Sequence, residues 1–171
     1  MSDDTGTGNP TTIATQGETE LRVERVFDAP RDLVWEAHTE PELLGQWLGP
    51  RRMTLTVEEM DVTPGGTYRY RHEGDDGSGP FVFTGEFVEV EPPRLLVQTF
   101  QIVGVEGEPA VDRHELEELD GGRTRLVVIS TMPSPEARET MLESGMEKGL
   151  RESYERLDEL LARQYGESAL G

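Results

Sequence analysis

From Met53 to Met132 the chain repeats one pattern, a short β-prone run closed by a turn signal, and this leaves few folds open to it. Pro64-Gly65-Gly66, Asp75-Asp76-Gly77, Pro92-Pro93 and Asp120-Gly121-Gly122 punctuate the span. Glycine supplies the positive φ, and proline the fixed φ, that tight turns require. Six strands fit between these signals, over about 53–61, 67–73, 80–90, 94–103, 110–119 and 123–132. Connections this short join antiparallel neighbours, because a parallel pair needs a crossover of a dozen residues or more.

A seventh strand precedes them, since Leu21, Val23 and Phe27 recur at period two, interrupted by Arg25. Pro30 then sits at a first helical position ahead of Asp32–Ala37, which reads as a short helix. Thr39-Glu40-Pro41-Glu42 reads as a capping box opening a second helix with Leu43, Leu44 and Trp47, closed by Gly49-Pro50. Beyond the strands, Ser134-Pro135-Glu136 supplies an N-cap, an N1 proline and an early acid. Met141, Leu142, Met146, Leu150, Leu157, Leu160 and Leu161 follow at helical spacing, giving one long helix to about Gln164 with a point of bending at Ser144-Gly145. The order is α+β with no βαβ unit. A seven-stranded antiparallel sheet buries one face by curling around that helix, and a cavity remains wherever the facing side chains do not fill the space.

Residues 1–18 are polar, with Ile13 the lone large apolar residue, and read as a disordered tail. The expected domain is 19–165, with 166–171 a C-terminal tail. A chain of 171 residues suffices for one self-supporting core. No cysteine is present, which excludes thiolate zinc sites, redox motifs, cysteine nucleophiles and disulfides. Neither a signal sequence nor an apolar run of membrane-spanning length is found, so the expectation is a cytoplasmic protein with no membrane partner. The formal net charge of −19, from 35 acidic and 16 basic residues, argues against a nucleic-acid partner. Lys148 is the only lysine, and so many carboxylates beside arginine suggest adaptation to high internal salt, where ions screen the repulsion.

The landmarks resemble a known family. Asp28-Ala29-Pro30 with Val34-Trp35, then Thr39–Glu42, Trp47 and Gly49-Pro50, are similar to the opening of the heat-shock protein 90 ATPase activator homologues, within the START-like or SRPBCC superfamily. Pro64–Tyr70, Gly85, Glu89–Leu95, Gly121-Gly122, Gly145-Met146, Gly149 and Arg156-Leu157 continue the likeness in the family's order, over about Leu21 to Arg163. The resemblance implies the helix-grip fold and a ligand cavity between sheet and long helix. It also implies a chaperone as a possible partner, and among superfamily relatives it admits lipid carriers, receptors and polyketide cyclases or aromatases. An activity does not follow from fold.

The side chains narrow the chemistry. No Gly-x-Ser-x-Gly elbow and no phosphate-cradling glycine loop is present. No metal site, cofactor or catalytic residue is assigned. His38 falls between two helices and reads as a solvated linker residue, His72 as a turn residue, and His114 as a rim or core residue sharing the inner face with Leu116. Tyr68 and Tyr70 alternate with Arg69 and Arg71, which points the tyrosines inward. With Trp47, Phe83 and Phe100 they form either plain core or a cavity wall. Met146 and Leu150, flanked by Gly145 and Gly149, would stand opposite. In the strand over 80–90, Phe81, Phe83 and Phe87 occupy one face and Val82, Val88 and Val90 the other, so its inner face stays open. The leading expectation is a small apolar or aromatic ligand in the cavity. A chaperone-associated module and a cyclase-like enzyme are the alternatives, the last requiring His114 with Tyr68 or Tyr70 as its acid–base set.

Overall fold

The computed structural model describes residues 9–170, with side chains to 165. Residues 1–8 and 171 of the expected tails lie outside the described residues. In chain order the elements are β1 (Thr12–Gln16), β2 (Glu20–Phe27), α1 (Arg31–Thr39), α2 (Pro41–Leu44), β3 (Met53–Met60), β4 (Thr67–Gly74), β5 (Phe81–Glu91), β6 (Leu95–Ile102), β7 (Ala110–Leu119), β8 (Arg123–Thr131), α3 (Pro135–Glu143) and α4 (Met146–Leu170). They build an α+β fold on one antiparallel sheet in the order β1-β2-β8-β7-β6-β5-β4-β3.

The sheet has eight strands, not seven. Residues 12–16, expected in a disordered tail, pair with β2 from Thr12↔Glu24 to Gln16↔Glu20. Arginines far away in sequence hold this segment where it lacks apolar surface. Arg25 donates to Thr11 Oγ1 at 2.7 Å, Arg151 donates to the Thr11 carbonyl, and Arg138 donates to the Gly17 and Glu20 carbonyls at 3.0 and 3.2 Å. Asn9 also donates to the Val26 carbonyl at 2.8 Å.

The helices depart from expectation at their ends. No side chain caps α2; the Thr39 hydroxyl instead donates back to the Trp35 carbonyl at 2.9 Å, inside an α1 that runs two residues beyond Ala37. At the C-terminus the long helix is two helices. Ser134 caps α3 by accepting from the Ala137 N–H at 3.0 Å, and Gly145, at φ 85°, ends that run before α4 begins. This left-handed conformation suits glycine and breaks the α-helical ladder. The helix then continues through 166–170, where a tail was expected.

Strand β5 shows why both its faces carry apolar residues. Its pairing with β6 shifts register between Phe87 and Glu89. A bulge of this kind reverses which residues face inward. Phe87 is fully buried before it, Val90 packs on the core after it, and Val88 at the bulge is 48% exposed.

The core lies between the inner sheet face and the helices. Phe27, Leu116, Leu126 and Val128 from the sheet meet Leu157, Leu160 and Leu161 of α4 and Val34, Trp35 and Ala37 of α1. The segment from Gly45 to Arg52 is tied to α4. Gly49 N–H donates to Ser153 Oγ at 2.8 Å, and Arg156 donates to the carbonyls of Gln46 and Gly49 at 2.9 and 3.0 Å. Gly49 adopts φ 103°, and a Cβ there would stand 3.0 Å from the His72 ring, so only glycine fits. Among the described residues no helix is long and apolar enough to cross a membrane.

Candidate functional site

Between β4–β7, the segment after α2 and the start of α4 lies a cavity of about 650 Å³. This is within the usual size range of small-molecule sites. Its sheet wall begins on β4, where Tyr68, Tyr70 and His72 alternate inward. The Tyr68 and Tyr70 rings lie 4.5 Å apart, and the Tyr68 hydroxyl donates to the Thr99 carbonyl. Gly85 makes room for that ring, because a Cβ there would stand 2.5 Å from it. Phe83 of β5 and Phe100 of β6 stack at 5.2 Å, and His72 meets Phe83 edge-on at 4.6 Å. On the facing side stand Trp47, whose Nε1–H donates to the Ala37 carbonyl at 2.9 Å, and Met146 and Leu150 of α4.

The eight residues singled out as cavity candidates, Trp47, Tyr68, Tyr70, Phe83, Phe100, His114, Met146 and Leu150, thus all stand on one wall system. Two histidines stand elsewhere than expected. His38 is no solvated linker residue. With α1 continuing two residues beyond Ala37 it is buried to 7% exposure, Nδ1 bonds to the Val34 carbonyl at 2.8 Å, and its ring lies 4.9 Å from Trp47 and 5.8 Å from His114. His72 is no turn residue. It continues the Tyr68, Tyr70 alternation into the cavity wall and is also buried.

Polar groups gather on β7. Asp112 and His114 share the face turned to the cavity. The Ser130 hydroxyl donates to Asp112 at 2.5 Å, and His114 Nδ1 bonds to the Leu96 carbonyl at 3.3 Å. Burial pushes the Asp112 carboxyl up to about 6, against the Ser130 hydrogen bond. Burial likewise brings His38, His72 and His114 down to about 4, so all three imidazoles are neutral near pH 7. The Tyr68, Tyr70 and Tyr154 phenols are pushed well above their ordinary value by the same burial. Chemically the site offers an aromatic wall, neutral imidazole acceptors and one carboxyl able to exchange a proton near neutrality. Among the described residues no group of three or more histidine or acidic side chains could hold a metal ion.

The pattern of the family described as Activator of Hsp90 ATPase homolog 1-like protein matches residues 28–162. The chain belongs to this family. Solved structures agree with the assignment. A Rhodobacter sphaeroides protein is 29% identical, with a TM-score of 0.82 over 90% of this chain and 99% of its own. An Arthrobacter aurescens protein is 30% identical, at 0.81 over 89% and 91%, and a Mycobacterium smegmatis protein 25% identical, at 0.81 over 89% and 97%. No curated protein matches the chain. Family and fold are in general those of ligand-binding or chaperone-associated domains.

Asp112 is a polar cavity-lining residue that sequence reasoning passed over. The signal was present, because the alternation in Val111–Leu116 that turns His114 and Leu116 inward turns Asp112 inward too. The abundance of solvated carboxylates in the chain masked it.

Proposed function

We propose that the protein binds a small molecule with an apolar or aromatic body in the cavity between β4–β7 and α4. The observation that carries this reading is the cavity itself, about 650 Å³ walled by Trp47, Tyr68, Tyr70, Phe83 and Phe100 yet left unfilled by Met146 and Leu150. The space opens to solvent beside Phe81 and Lys148, so a ligand can enter it, and its aromatic walls would gain apolar contact on binding. Binding needs no covalent step. Titration with an environment-sensitive apolar fluorophore tests the reading, with saturable enhancement at one site per chain as the expected result. No enhancement, together with native mass spectra from the host showing the bare chain only, would overturn it.

The family description supports a second reading, a chaperone-associated module. Capture of the host's chaperone by the wild-type chain, undiminished by substitutions in the cavity, would favour that surface role over ligand binding.

A further inference from the structure

The polar end of the cavity combines acceptors on His38, His114 and Asp112 with the neutral donors of Gln98 and the tyrosines, and holds no cation paired with Asp112. A carbonyl oxygen can only accept, so His38 Nδ1 must carry the proton it gives to Val34 and His114 Nδ1 the one it gives to Leu96. In a neutral imidazole the other nitrogen is then a bare lone pair. His38 Nε2 is buried and has no hydrogen-bond partner, in a side chain 7% exposed on the cavity wall. Asp112 adds carboxylate oxygens of which Ser130 satisfies one. Its register neighbour Gln98 and the phenols of Tyr68 and Tyr154 surround it. None of these is a cation. Arg113, next along β7, is paired with Glu115 at 2.6 Å, and Arg25, near Tyr154, is taken by Asp158. Among the described residues no arginine or lysine forms an ion pair with Asp112.

A half-buried carboxylate without a cation and a buried lone pair without a donor are both costly. An alcohol could correct only part of this, since it brings one donor and no charge. A protonated amine brings up to three donors and the missing positive charge. The Tyr68 and Tyr70 rings beside it add faces that attract cations, and the net charge of −19 draws cations toward the protein.

We propose that the molecule held in the cavity is an organic cation, an apolar or aromatic body carrying a protonated amine seated against Asp112 with His38 and His114 as further acceptors. The inference rests on the ligand-binding reading and names the chemical class of the ligand. The outer rim carries Arg51, Arg52 and Lys148 beside Glu152, with Arg51 paired to Glu159 at 2.6 Å. Charge recognition is thus assigned to the inner end and not to this rim.

The test uses one aromatic body with three end groups, naphthylethylamine, naphthylethanol and naphthylacetate, titrated into the full chain at pH 7.5. The amine is expected to bind about tenfold or more tighter than the alcohol, as for a buried charge pair against a neutral group. Asp112→Asn should remove that advantage, so that amine and alcohol bind the variant about equally. Lowering the pH through about 6 should weaken the amine as Asp112 takes up its proton. The alcohol should hold its affinity until the histidines protonate near 4. The amine–alcohol comparison in the wild type decides the matter even should the variant fold poorly. Equal affinities, or tighter binding of naphthylacetate, would overturn this inference while leaving a binding cavity. Binding neither of these probes nor the apolar fluorophore would overturn both.

Discussion

Along α4, the turns from Tyr154 to Leu161 are sealed against the sheet, whereas those from Met146 to Leu150 stand over open space. Leu157, Leu160 and Leu161 are 0–3% exposed and meet Phe27, Leu116 and Leu126. Met146, Gly149 and Leu150 are half-buried and face the aromatic wall across the cavity. Buried charge follows the same division. At the sealed end Arg25 is ion-paired with Asp158 and bonded to Thr11, while at the open end Asp112 has no cation. The same helix is thus packed into the core at one end and borders the cavity at the other.

The largest effect that separates the halves is side-chain truncation. Leu157→Ala should cost about 2–5 kcal/mol, the range for a fully buried leucine. Met146→Ala, at a half-buried side chain that borders the cavity and packs on Leu21, Ala110 and Met132 from one side, should cost less, about 1 kcal/mol. Denaturant melts measure both, and equal losses would erase the distinction.

The charged residues should respond with opposite sign. Burial pushes Asp158 up to about 6 although Arg25 pulls it down, so at pH 7 it is mainly ionised. Asp158→Asn relieves the burial of that carboxylate but leaves the more deeply buried Arg25 guanidinium without its ion pair, and the second effect should win, a loss of about 3 kcal/mol. Asp112→Asn should instead gain about 1–2 kcal/mol at pH 7, less than the full 1.36 kcal/mol per pKa unit because the Ser130 hydrogen bond is weakened. The sign follows from linkage. A carboxyl raised from 3.8 to about 6 makes the folded state the better proton binder, so the penalty is full above about 6 and is relieved as pH falls toward 3.8. The advantage of Asp112→Asn should vanish over that window. Melts of the two variants between pH 4 and 8 check both signs.

Deleting residues 1–18 removes β1 and the Thr11 contacts to Arg25 and Arg151 at the sealed end. A loss of about 1–3 kcal/mol is expected, the cost of unsatisfying buried charged donors. An unchanged melting temperature would show the strand to be dispensable.

Gly149→Ala should have the smallest effect. A Cβ there would meet only Pro50, at 3.4 Å, so close packing does not demand glycine. A gain of up to about 1 kcal/mol from helix propensity is expected in thermal melts.

Much of this division could be read from residue order. The inner face of β4 follows from Tyr68 and Tyr70 alternating with arginines, whereas Ser144-Gly145 suggested only a bend where the chain makes two helices. What escaped depends on contacts distant in sequence. Thr12–Gln16 carries little apolar surface, and its strand state is held by Arg25, Arg138 and Arg151. His38 is buried because α1 continues two residues further and meets Trp47, neither of which its neighbours encode. The inner face of β5 depends on a bulge at Phe87–Glu89, which alternation alone cannot register.

On the proposed reading, the space under Met146 and Leu150 is a binding site and not imperfect packing. Narrowing it with Met146→Trp, and following fluorophore titration and denaturant melts of wild type and variant side by side, tests this most directly. Saturable binding by the wild type, loss of binding in the variant, and a change in stability under about 1 kcal/mol are expected, because the larger ring enters existing space. A wild type that binds nothing, with a variant destabilised by the roughly 1–3 kcal/mol or more of an overpacked core, would contradict it.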